Sequence, residues 1–357
     1  MSKPPVFRSL RVVEVKPETD DSVSVTFDVP SELTEEFTYL PGQHITVRGF
    51  VDGEDVRRSY SICAAANAPK LRIGIRAIPS GQLSNWMVSS LRAGDYLDVM
   101  SPVGEFTIEP DPTRRRHVGF VAAGAGITPV LSLLSTILGV EPASRSTLIF
   151  GNRESRSIMF LDEVEGLKDR HPDRFHLIHV LSREPQLVPL LSGRLDGEKL
   201  DEIFSRLIDF PDIEEWFLCG PYGLVKTARE VIEGRGVPNQ DIHDELFFAE
   251  PIPDLPPPAP ADTEGFSEVR FTLDGRDSQV MVDPSGPSIL DHALSVRREL
   301  PFSCKGGICA TCRAHLLEGE VHMDENWALV AEELAAGLVL TCQSHPLTPL
   351  VVLDYDV

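Results

Sequence analysis

The stretch Cys304-Lys305-Gly306-Gly307-Ile308-Cys309-Ala310-Thr311-Cys312 brings three cysteines together, and Cys342 follows after a gap of 29 residues. This is the spacing of the plant-type [2Fe–2S] ligand set. The loop is filled with small or flexible residues, so its backbone can wrap closely enough for N–H groups to reach the sulfurs. A structural zinc site is the alternative, but such sites usually show two paired C-x-x-C knuckles, and the second is missing here. We therefore predict that Cys304, Cys309, Cys312 and Cys342 hold a [2Fe–2S] cluster.

A proline-rich segment stands upstream of these cysteines. Residues 251–265 contain six prolines, three of them consecutive at Pro256-Pro257-Pro258. This composition excludes a helix or a central strand and predicts a semi-rigid, extended linker. The chain is predicted to divide into four parts: residues 1–112, residues 113–250, a linker at residues 251–266, and residues 267–357.

The first two parts differ in the period of their apolar residues. In residues 1–112 apolar and polar residues alternate, as in Leu71 to Ala77, and turn signals separate several short strands. Residues 113–250 instead alternate strands, such as His117 to Ala123, with segments of helical length. We therefore predict a small antiparallel β-barrel followed by an α/β domain with a doubly wound parallel sheet.

The chain is strongly acidic. Its 357 residues include 33 lysines and arginines against 55 aspartates and glutamates, a formal net charge of −22. Such a chain repels phosphate backbones and anionic membrane surfaces, so neither nucleic acid nor membrane is an expected partner. No apolar stretch is long enough to span a bilayer, and residues 1–10 have no apolar core of a signal peptide. Six cysteines are too few for a disulfide scaffold, which predicts a reducing, cytoplasmic location.

The segments around the cysteines resemble a known family. Pro301-Phe302-Ser303-Cys304 through Cys312, and Leu340-Thr341-Cys342-Gln343, are similar to the fused ferredoxin domains of class-I oxygenase reductases in the ferredoxin–NADP reductase superfamily. The three modules occur in that family's order, so the resemblance covers almost the entire chain. It implies a β-grasp fold for the last part, with a hairpin at Glu318-Gly319-Glu320-Val321 between the ligand loop and the final cysteine.

Two further motifs match the flavin site of this family. Arg58-Ser59-Tyr60-Ser61 is its R-x-Y-S motif, in which the arginine offers a charged fork to the FAD pyrophosphate and the tyrosine an aromatic face to the ring. The hydroxyl of Ser61 is expected to hydrogen-bond flavin N5, where hydride arrives. Gly81-Gln82-Leu83-Ser84 stands in the place of a companion motif, and its serine is predicted to cap a helix whose N–H groups hold a flavin phosphate.

A glycine turn and a Cys-Gly-Pro turn match the nicotinamide site. Gly124-Ala125-Gly126-Ile127-Thr128-Pro129 joins a predicted strand to a helix, and the family uses this G-x-G-x-x-P form for the dinucleotide, with a purely structural turn as the alternative. Cys219-Gly220-Pro221 ends a later strand, and the family places it near the nicotinamide and flavin N5. A small core cysteine is the alternative there.

The last match lies close to the end of the second part. Glu245 and Phe247 correspond to the closing Glu-x-Phe of the family, beside the flavin, and an ordinary edge strand is the alternative. The predicted catalytic residues are Ser61, Cys219 and Glu245.

The choice between NADPH and NADH depends on the adenosine ribose. An acidic side chain accepts a hydrogen bond from a free 2′-hydroxyl, whereas arginine pairs with a 2′-phosphate. The strand ending at Leu181 is followed by Ser182-Arg183, which matches the pair that NADP-dependent relatives use, and another strand ends near Arg153. These residues favour NADPH as the electron donor, with NADH possible. The alternative for the two arginines is that they are solvated loop charges without a role in binding.

The resemblance implies a reductase. Nicotinamide gives up two electrons as hydride and an iron–sulfur cluster accepts one at a time, so FAD must stand between them. Several short strings, among them Phe150-Gly151-Asn152-Arg153 and Ser192-Gly193-Arg194, resemble the reductase subunits of phenylacetyl-CoA epoxidases, whose separate oxygenase is a diiron protein. A Rieske or ketosteroid hydroxylase is the alternative partner. A binding module with a structural metal is the alternative from another class.

Overall fold

The computed structural model describes residues 6–51, 53–247 and 265–356. The predicted linker, residues 251–266, lies outside the described residues except for its last two. Residues 8–56 and 60–247 belong to one compact unit, and residues 265–356 belong to a second. Within the described ranges, no helix has both the length and the apolar character needed to cross a membrane.

The N-terminal part is a six-stranded sheet with one helix. The sheet has the order β4-β3-β6-β1-β2-β5, and its two edge strands meet through an antiparallel bridge between Ile62 and Ile73. This closure makes it the predicted barrel, because a sheet whose edges pair has no free edge. The alternating residues Leu71, Ile73 and Ile75 are all buried in its core. The elements are β1 Arg8–Thr19, β2 Ser22–Asp28, β3 His44–Val51, β4 Glu54–Ser61, β5 Leu71–Arg76, α1 Gln82–Ser90 and β6 Tyr96–Val99.

The middle part is a five-stranded parallel sheet flanked by helices. Its strand order is β11-β10-β7-β8-β9, and every neighbouring pair is parallel. The chain therefore moves from β7 outward to β9 and then returns to the other side of β7, which places a topological switch point between β7 and β10. The elements are β7 His117–Ala123, α2 Ile127–Val140, β8 Arg145–Asn152, α3 Leu161–Arg170, β9 Phe175–Leu181, α4 Gly197–Arg206, β10 Glu215–Gly220, α5 Tyr222–Gly234 and β11 Ile242–Leu246.

Polar contacts join the barrel to the parallel sheet within one unit. Arg72 of β5 and Glu163 of α3 form a two-pronged ion pair, with both nitrogen–oxygen distances at 2.7 Å. Ser132 Oγ of α2 also donates a hydrogen bond to the carbonyl of Ala64 at 2.6 Å. Because such paired charges keep two planar groups in one orientation, these contacts fix how α2 and α3 lie on the barrel.

The C-terminal part has the β-grasp strand order. Its five-stranded sheet runs β13-β12-β18-β14-β16, with β12 and β18 parallel at the centre, and β15 and β17 form a separate pair. Ala293 and Ile289 of α6 are fully buried in the core of this sheet. The elements are β12 Ser267–Leu273, β13 Arg276–Val282, α6 Ile289–Leu294, β14 Arg313–Glu318, β15 Val321–Met323, α7 Ala331–Ala335, β16 Leu338–Leu340, β17 Ser344–Pro346 and β18 Leu350–Asp354.

Two local predictions are wrong. Ser84 does not cap α1, because the helix begins at Gln82 with Gly81 in the capping position, and the Ser84 hydroxyl instead lies 3.5 Å from the Gly81 carbonyl. The segment Glu318-Gly319-Glu320-Val321 is not a hairpin, because β14 pairs with β16 and β18 while β15 pairs with β17. The turn at Gly319, with φ of +89°, instead passes the chain from one sheet to the next.

Candidate functional site

The buried hydroxyl of Ser61 contacts a carboxylate from the parallel sheet. Ser61 is the last residue of β4 and Glu245 lies in β11, and Ser61 Oγ donates a hydrogen bond to Glu245 Oε2 at 3.1 Å. Cys219 is the register partner of Glu245 on the adjacent strand β10. The structure therefore brings the three residues predicted as catalytic together where the barrel meets the sheet.

Cys219 lies at the switch point of the sheet. Burial raises the pKa of its thiol well above the usual range, and the negative charges of Glu245 and Asp244 raise it further, so the side chain stays a neutral thiol. The turn after β7 packs directly on this strand, since a Cβ placed on Gly126 would lie 2.2 Å from the Cys219 carbonyl oxygen. Glycine is required at 126 by this close approach. Phe247, just beyond β11, is half-buried against the same apolar core.

A histidine that the sequence analysis did not single out also faces Glu245. His44, the first residue of β3, is buried, and its Nδ1 lies 3.6 Å from Glu245 Oε1. Each oxygen of the carboxylate therefore faces a different barrel strand. In the sequence, His44 directly follows Pro41-Gly42-Gln43, which stands where the family has a companion to its R-x-Y-S motif.

The remaining flavin residues lie on β4 and at the start of α1. Arg58 is exposed and Ser59 and Tyr60 are half-buried. The first hydrogen bond inside α1 runs from the Asn85 N–H to the Gly81 carbonyl, at 3.1 Å. The N–H groups of Gln82, Leu83 and Ser84 thus have no acceptor within the helix and suit an anion. An exposed guanidinium, an aromatic face and a helix N-terminus fit the pyrophosphate and ring of FAD.

The predicted nicotinamide residues lie along the edge of the parallel sheet that is formed by the carboxyl ends of its strands. Strands β7, β8, β9 and β10 end at that edge, which is where ligands bind in open α/β sheets. The turn after β7 has Gly124 in the left-handed region, at φ +55°, and the Thr128 hydroxyl closes it by donating to the Ala125 carbonyl at 2.9 Å. The edge brings together Gly124, Gly126, Thr128, Pro129, Arg153, Ser182, Arg183, Cys219, Gly220 and Pro221.

A barrel arginine reaches this edge while its Nε pairs with Asp21 Oδ1 at 3.1 Å. Arg76 of β5 donates from Nη2 to the Ser157 carbonyl at 2.6 Å, and its Nη1 lies 3.2 Å from the position of a Cβ on Gly124. Burial lowers the pKa of Arg76, the nearby charge of Arg153 also lowers it, and Asp21 opposes both. No signal in the sequence marked this placement, because Arg76 stands simply on the polar side of an alternating strand.

The acidic side chains at this edge are engaged elsewhere. Glu184 accepts hydrogen bonds from the backbone N–H and the hydroxyl of Ser155, both at 2.8 Å, and these bonds lower its pKa. Glu154 pairs with Arg156 at 2.7 Å. Arg153 and Arg183 are exposed, and neither side chain forms an ion pair with another described residue. Two exposed arginines without an ion-pair partner among the described residues are therefore available to a phosphate at this edge.

The second unit contains the four predicted cluster ligands, three in the loop before β14 and Cys342 two residues after the end of β16. Lys305, Gly307 and Ala310 all have positive φ, which curls the backbone around the sulfurs. The Gly306 N–H points to the Cys304 sulfur at 3.3 Å, and the Cys304 N–H points to the Cys309 sulfur at 3.5 Å. The expected backbone N–H contacts to sulfur are therefore present.

These four cysteines are arranged as two pairs. The thiol of Cys304 interacts most strongly with that of Cys309, and the thiol of Cys312 with that of Cys342. No three histidine, cysteine or carboxylate side chains among the described residues form a group suited to one metal ion. Two thiolates for each of two irons is the donor set of a [2Fe–2S] cluster, and the pairs fit it.

Three family models together match most of the chain. The oxidoreductase FAD-binding domain matches residues 9–108, the oxidoreductase NAD-binding domain matches residues 120–230, and the 2Fe-2S iron-sulfur cluster binding domain matches residues 271–347. One subunit of the 1,2-phenylacetyl-CoA epoxidase of Escherichia coli is 41% identical over 350 residues, covering 98% of each chain. The chain belongs to the ferredoxin–NADP reductase-like oxygenase reductases.

Other relatives of this reductase belong to different oxygenase systems. The ferredoxin reductase component of the 3-ketosteroid-9-alpha-monooxygenase of Rhodococcus rhodochrous is 30% identical, covering 97% of this chain and 96% of the relative. The glycine betaine monooxygenase reductase subunit of Chromohalobacter salexigens is also 30% identical, covering 95% and 93%. The reductase is thus an FAD- and [2Fe–2S]-containing component of a multicomponent oxygenase.

Solved structures share the fold of the oxygenase reductase. Phthalate dioxygenase reductase, described as a modular structure for electron transfer from pyridine nucleotides to [2Fe–2S], aligns with a TM-score of 0.58 at 23% identity and 98% coverage of both chains. An intact type IV self-sufficient cytochrome P450 monooxygenase aligns with a TM-score of 0.70 at 23% identity, covering 97% of this chain and 41% of that one. The predicted barrel, parallel sheet and ferredoxin fold are confirmed.

Proposed function

We propose that this reductase supplies electrons from NADPH to the diiron oxygenase component of a phenylacetyl-CoA epoxidase. The observation that carries the proposal is the 41% identity to the Escherichia coli component of that enzyme over 98% of both chains. The ketosteroid and glycine betaine reductases, which also align over nearly their full length, are only 30% identical. A Rieske or ketosteroid oxygenase is the alternative partner.

The proposed electron path follows from the three cofactor domains. FAD accepts two electrons together and releases them singly, and the [2Fe–2S] cluster carries one at a time. Ser61 donates its hydroxyl proton to Glu245 at 3.1 Å, which leaves its oxygen lone pairs free to accept a hydrogen bond from the reactive end of the reduced flavin. Cys219, kept neutral by burial, borders the place where the nicotinamide would lie.

Residue identities at the sheet edge support NADPH as the donor. Arg183 and Arg153 follow the ends of β9 and β8, both are exposed, and the nearest acids are held by Ser155 and Arg156. In a chain with a net charge of −22, local arginines are the means of holding a 2′-phosphate. We also propose a cytoplasmic location and domain limits near residues 112, 250 and 266.

The partner is tested by reconstitution. The purified, cofactor-loaded reductase is given NADPH and combined in turn with a purified phenylacetyl-CoA epoxidase oxygenase and a purified ketosteroid hydroxylase oxygenase, each with its substrate. Product formation coupled to oxygen uptake is expected with the first alone. Turnover with the ketosteroid oxygenase and none with the epoxidase would overturn the proposal.

A further inference from the structure

Asn152 carries a buried side-chain amide without a hydrogen-bond partner in the described part of the chain. It is the last residue of β8 and is only 8% exposed, and neither Oδ1 nor Nδ2 is paired. Exchanging the two ends of the amide changes nothing, because both are unpaired. A buried polar group in this state costs free energy, which a partner that is not part of the chain would recover.

Asn152 lies between the groups expected to hold the nicotinamide cofactor. Its backbone carbonyl accepts a hydrogen bond from the Ser182 N–H at 2.9 Å, which places it beside the Ser182-Arg183 pair. On its other side, β8 adjoins β7, the strand that ends at the glycine turn. It is also separated by β7 from Cys219 on β10, so it faces the adenosine rather than the nicotinamide end of the edge.

The chemistry of an amide selects among the parts of the cofactor. A phosphate oxygen only accepts hydrogen bonds and would leave Oδ1 unpaired, whereas a ribose hydroxyl both donates and accepts and can satisfy either end. In dinucleotide-binding sheets an acidic residue after the glycine turn accepts from the ribose 2′-hydroxyl of NAD. Asn152 has the length of such an aspartate without its charge.

We propose that Asn152 binds the adenosine ribose through its side-chain amide, and that its neutrality lets a 2′-phosphate lie beside it. Asn152 thereby acts as a residue that selects between NADPH and NADH. Only the selection between the two cofactors rests on the proposed function, in which NADPH is the donor. The ribose contact is common to both cofactors, whereas the absence of charge matters for NADPH alone.

Two variants of Asn152 test the ribose contact and the cofactor selection separately, with Ser146→Ala as the matched control. Ser146 is also buried with an unpaired hydroxyl on β8, but it lies near the opposite end of the strand. Asn152→Ala should raise KM for both NADPH and NADH by about five- to tenfold with kcat unchanged, the scale of one lost hydrogen bond. The Tm of this variant, loaded with flavin and cluster but without nicotinamide, should not fall below that of Ser146→Ala.

Asn152→Asp tests the charge. Its kcat/KM should fall at least tenfold more for NADPH than for NADH. Unchanged KM values in Asn152→Ala, together with a lowered Tm, would show a purely structural amide and overturn the ribose contact. Equal losses for both cofactors in Asn152→Asp would overturn the selection. A wild-type preference for NADH would overturn the proposed donor and the selection, while the KM of Asn152→Ala for NADH would still decide the ribose contact.

Discussion

Ser61 and Glu245 lie far apart in the sequence of one folding unit, and Ser61 Oγ donates to Glu245 Oε2 at 3.1 Å. The serine ends a barrel strand and the glutamate lies on the edge strand of the parallel sheet. The contact therefore spans the two modules that bind flavin and nicotinamide, and it fixes the hydroxyl before either cofactor arrives.

Replacing Ser61 with alanine should slow flavin reduction by NADPH about tenfold or more. The variant loses the predicted hydrogen bond to the flavin and the bond to the Glu245 carboxylate, and one hydrogen bond to a charged group is of this scale. Stopped-flow absorbance of the flavin band measures the rate, and flavin content should stay near that of the wild type. Ser89→Ala, at an exposed position of α1, is the control and should keep the wild-type rate. A full rate in Ser61→Ala would remove this residue from the catalytic set.

Cys342→Ser should lose most of the cluster while the flavin remains bound. Alkoxide or hydroxyl oxygen is a poorer ligand for iron than thiolate, and most of the predicted flavin residues, Tyr60 and Ser61 among them, belong to the other unit. Iron content and the visible spectrum report the cluster, and ferricyanide reduction reports hydride transfer, which should survive. Cys63→Ala, which removes a buried thiol outside the four ligands, should keep its iron. Loss of both activities in Cys342→Ser would contradict separable modules.

Arg183→Ala should raise KM for NADPH by about tenfold or more and leave NADH nearly unchanged, because a charge-assisted pair contributes about 1.5–3 kcal/mol. Steady-state kinetics with both donors measure the effect. Arg206→Ala removes another exposed charge, from the end of α4, and serves as the control. If Arg183→Ala affects both donors alike, Arg183 does not read the 2′-phosphate.

Glu141→Gln should destabilise the protein by up to about 3–5 kcal/mol at neutral pH, because Arg116 and Glu141 form a fully buried ion pair. Among the carboxylates of the described residues, the variant leaves the buried arginine only the longer, 3.5 Å contact to Glu215. Burial raises the pKa of Glu141, but hydrogen bonds from Arg116 and Ser144 outweigh it and hold the pKa below the ordinary 4.5. The stabilisation is therefore present above the unfolded pKa and is lost as pH falls through the lower folded value.

Urea unfolding at neutral and acidic pH checks this prediction. The gap between wild type and Glu141→Gln should narrow below about pH 4.5. Glu233→Gln, which breaks the more exposed pair with Arg229, should cost less than about 1 kcal/mol. A constant gap across the pH range would mean that Glu141 is not ionised in the folded protein.

The sequence was most informative where function depends on neighbours along the chain. The cysteine loop, the R-x-Y-S strand end and the glycine turn each place their groups within a few residues. The spacing of the cysteines predicted the cluster ligands, and the family resemblance of the other two motifs predicted the flavin and nicotinamide residues. His44, Arg76 and Asn152 were missed as site residues, because their roles depend on contacts across strands that no local pattern encodes. The hairpin at 318–321 failed for the same reason, since strand partners are chosen by the whole sheet.

The contacts between the barrel and the parallel-sheet domain determine which segment of the chain can be exchanged with another reductase. Besides the Arg72–Glu163 pair and the Ser132 contact, the backbone N–H of Ala66 donates to Thr136 Oγ1 at 3.0 Å. In a chimera with the nicotinamide domain of another protein joined after residue 112, helices α2 and α3 would need side chains that make the same contacts. Otherwise Arg72 and the backbone groups of Ala64 and Ala66 would lose their hydrogen-bond partners. Transplanting residues 8–247 as one block keeps every one of these contacts, so the recombination point belongs in the proline-rich segment.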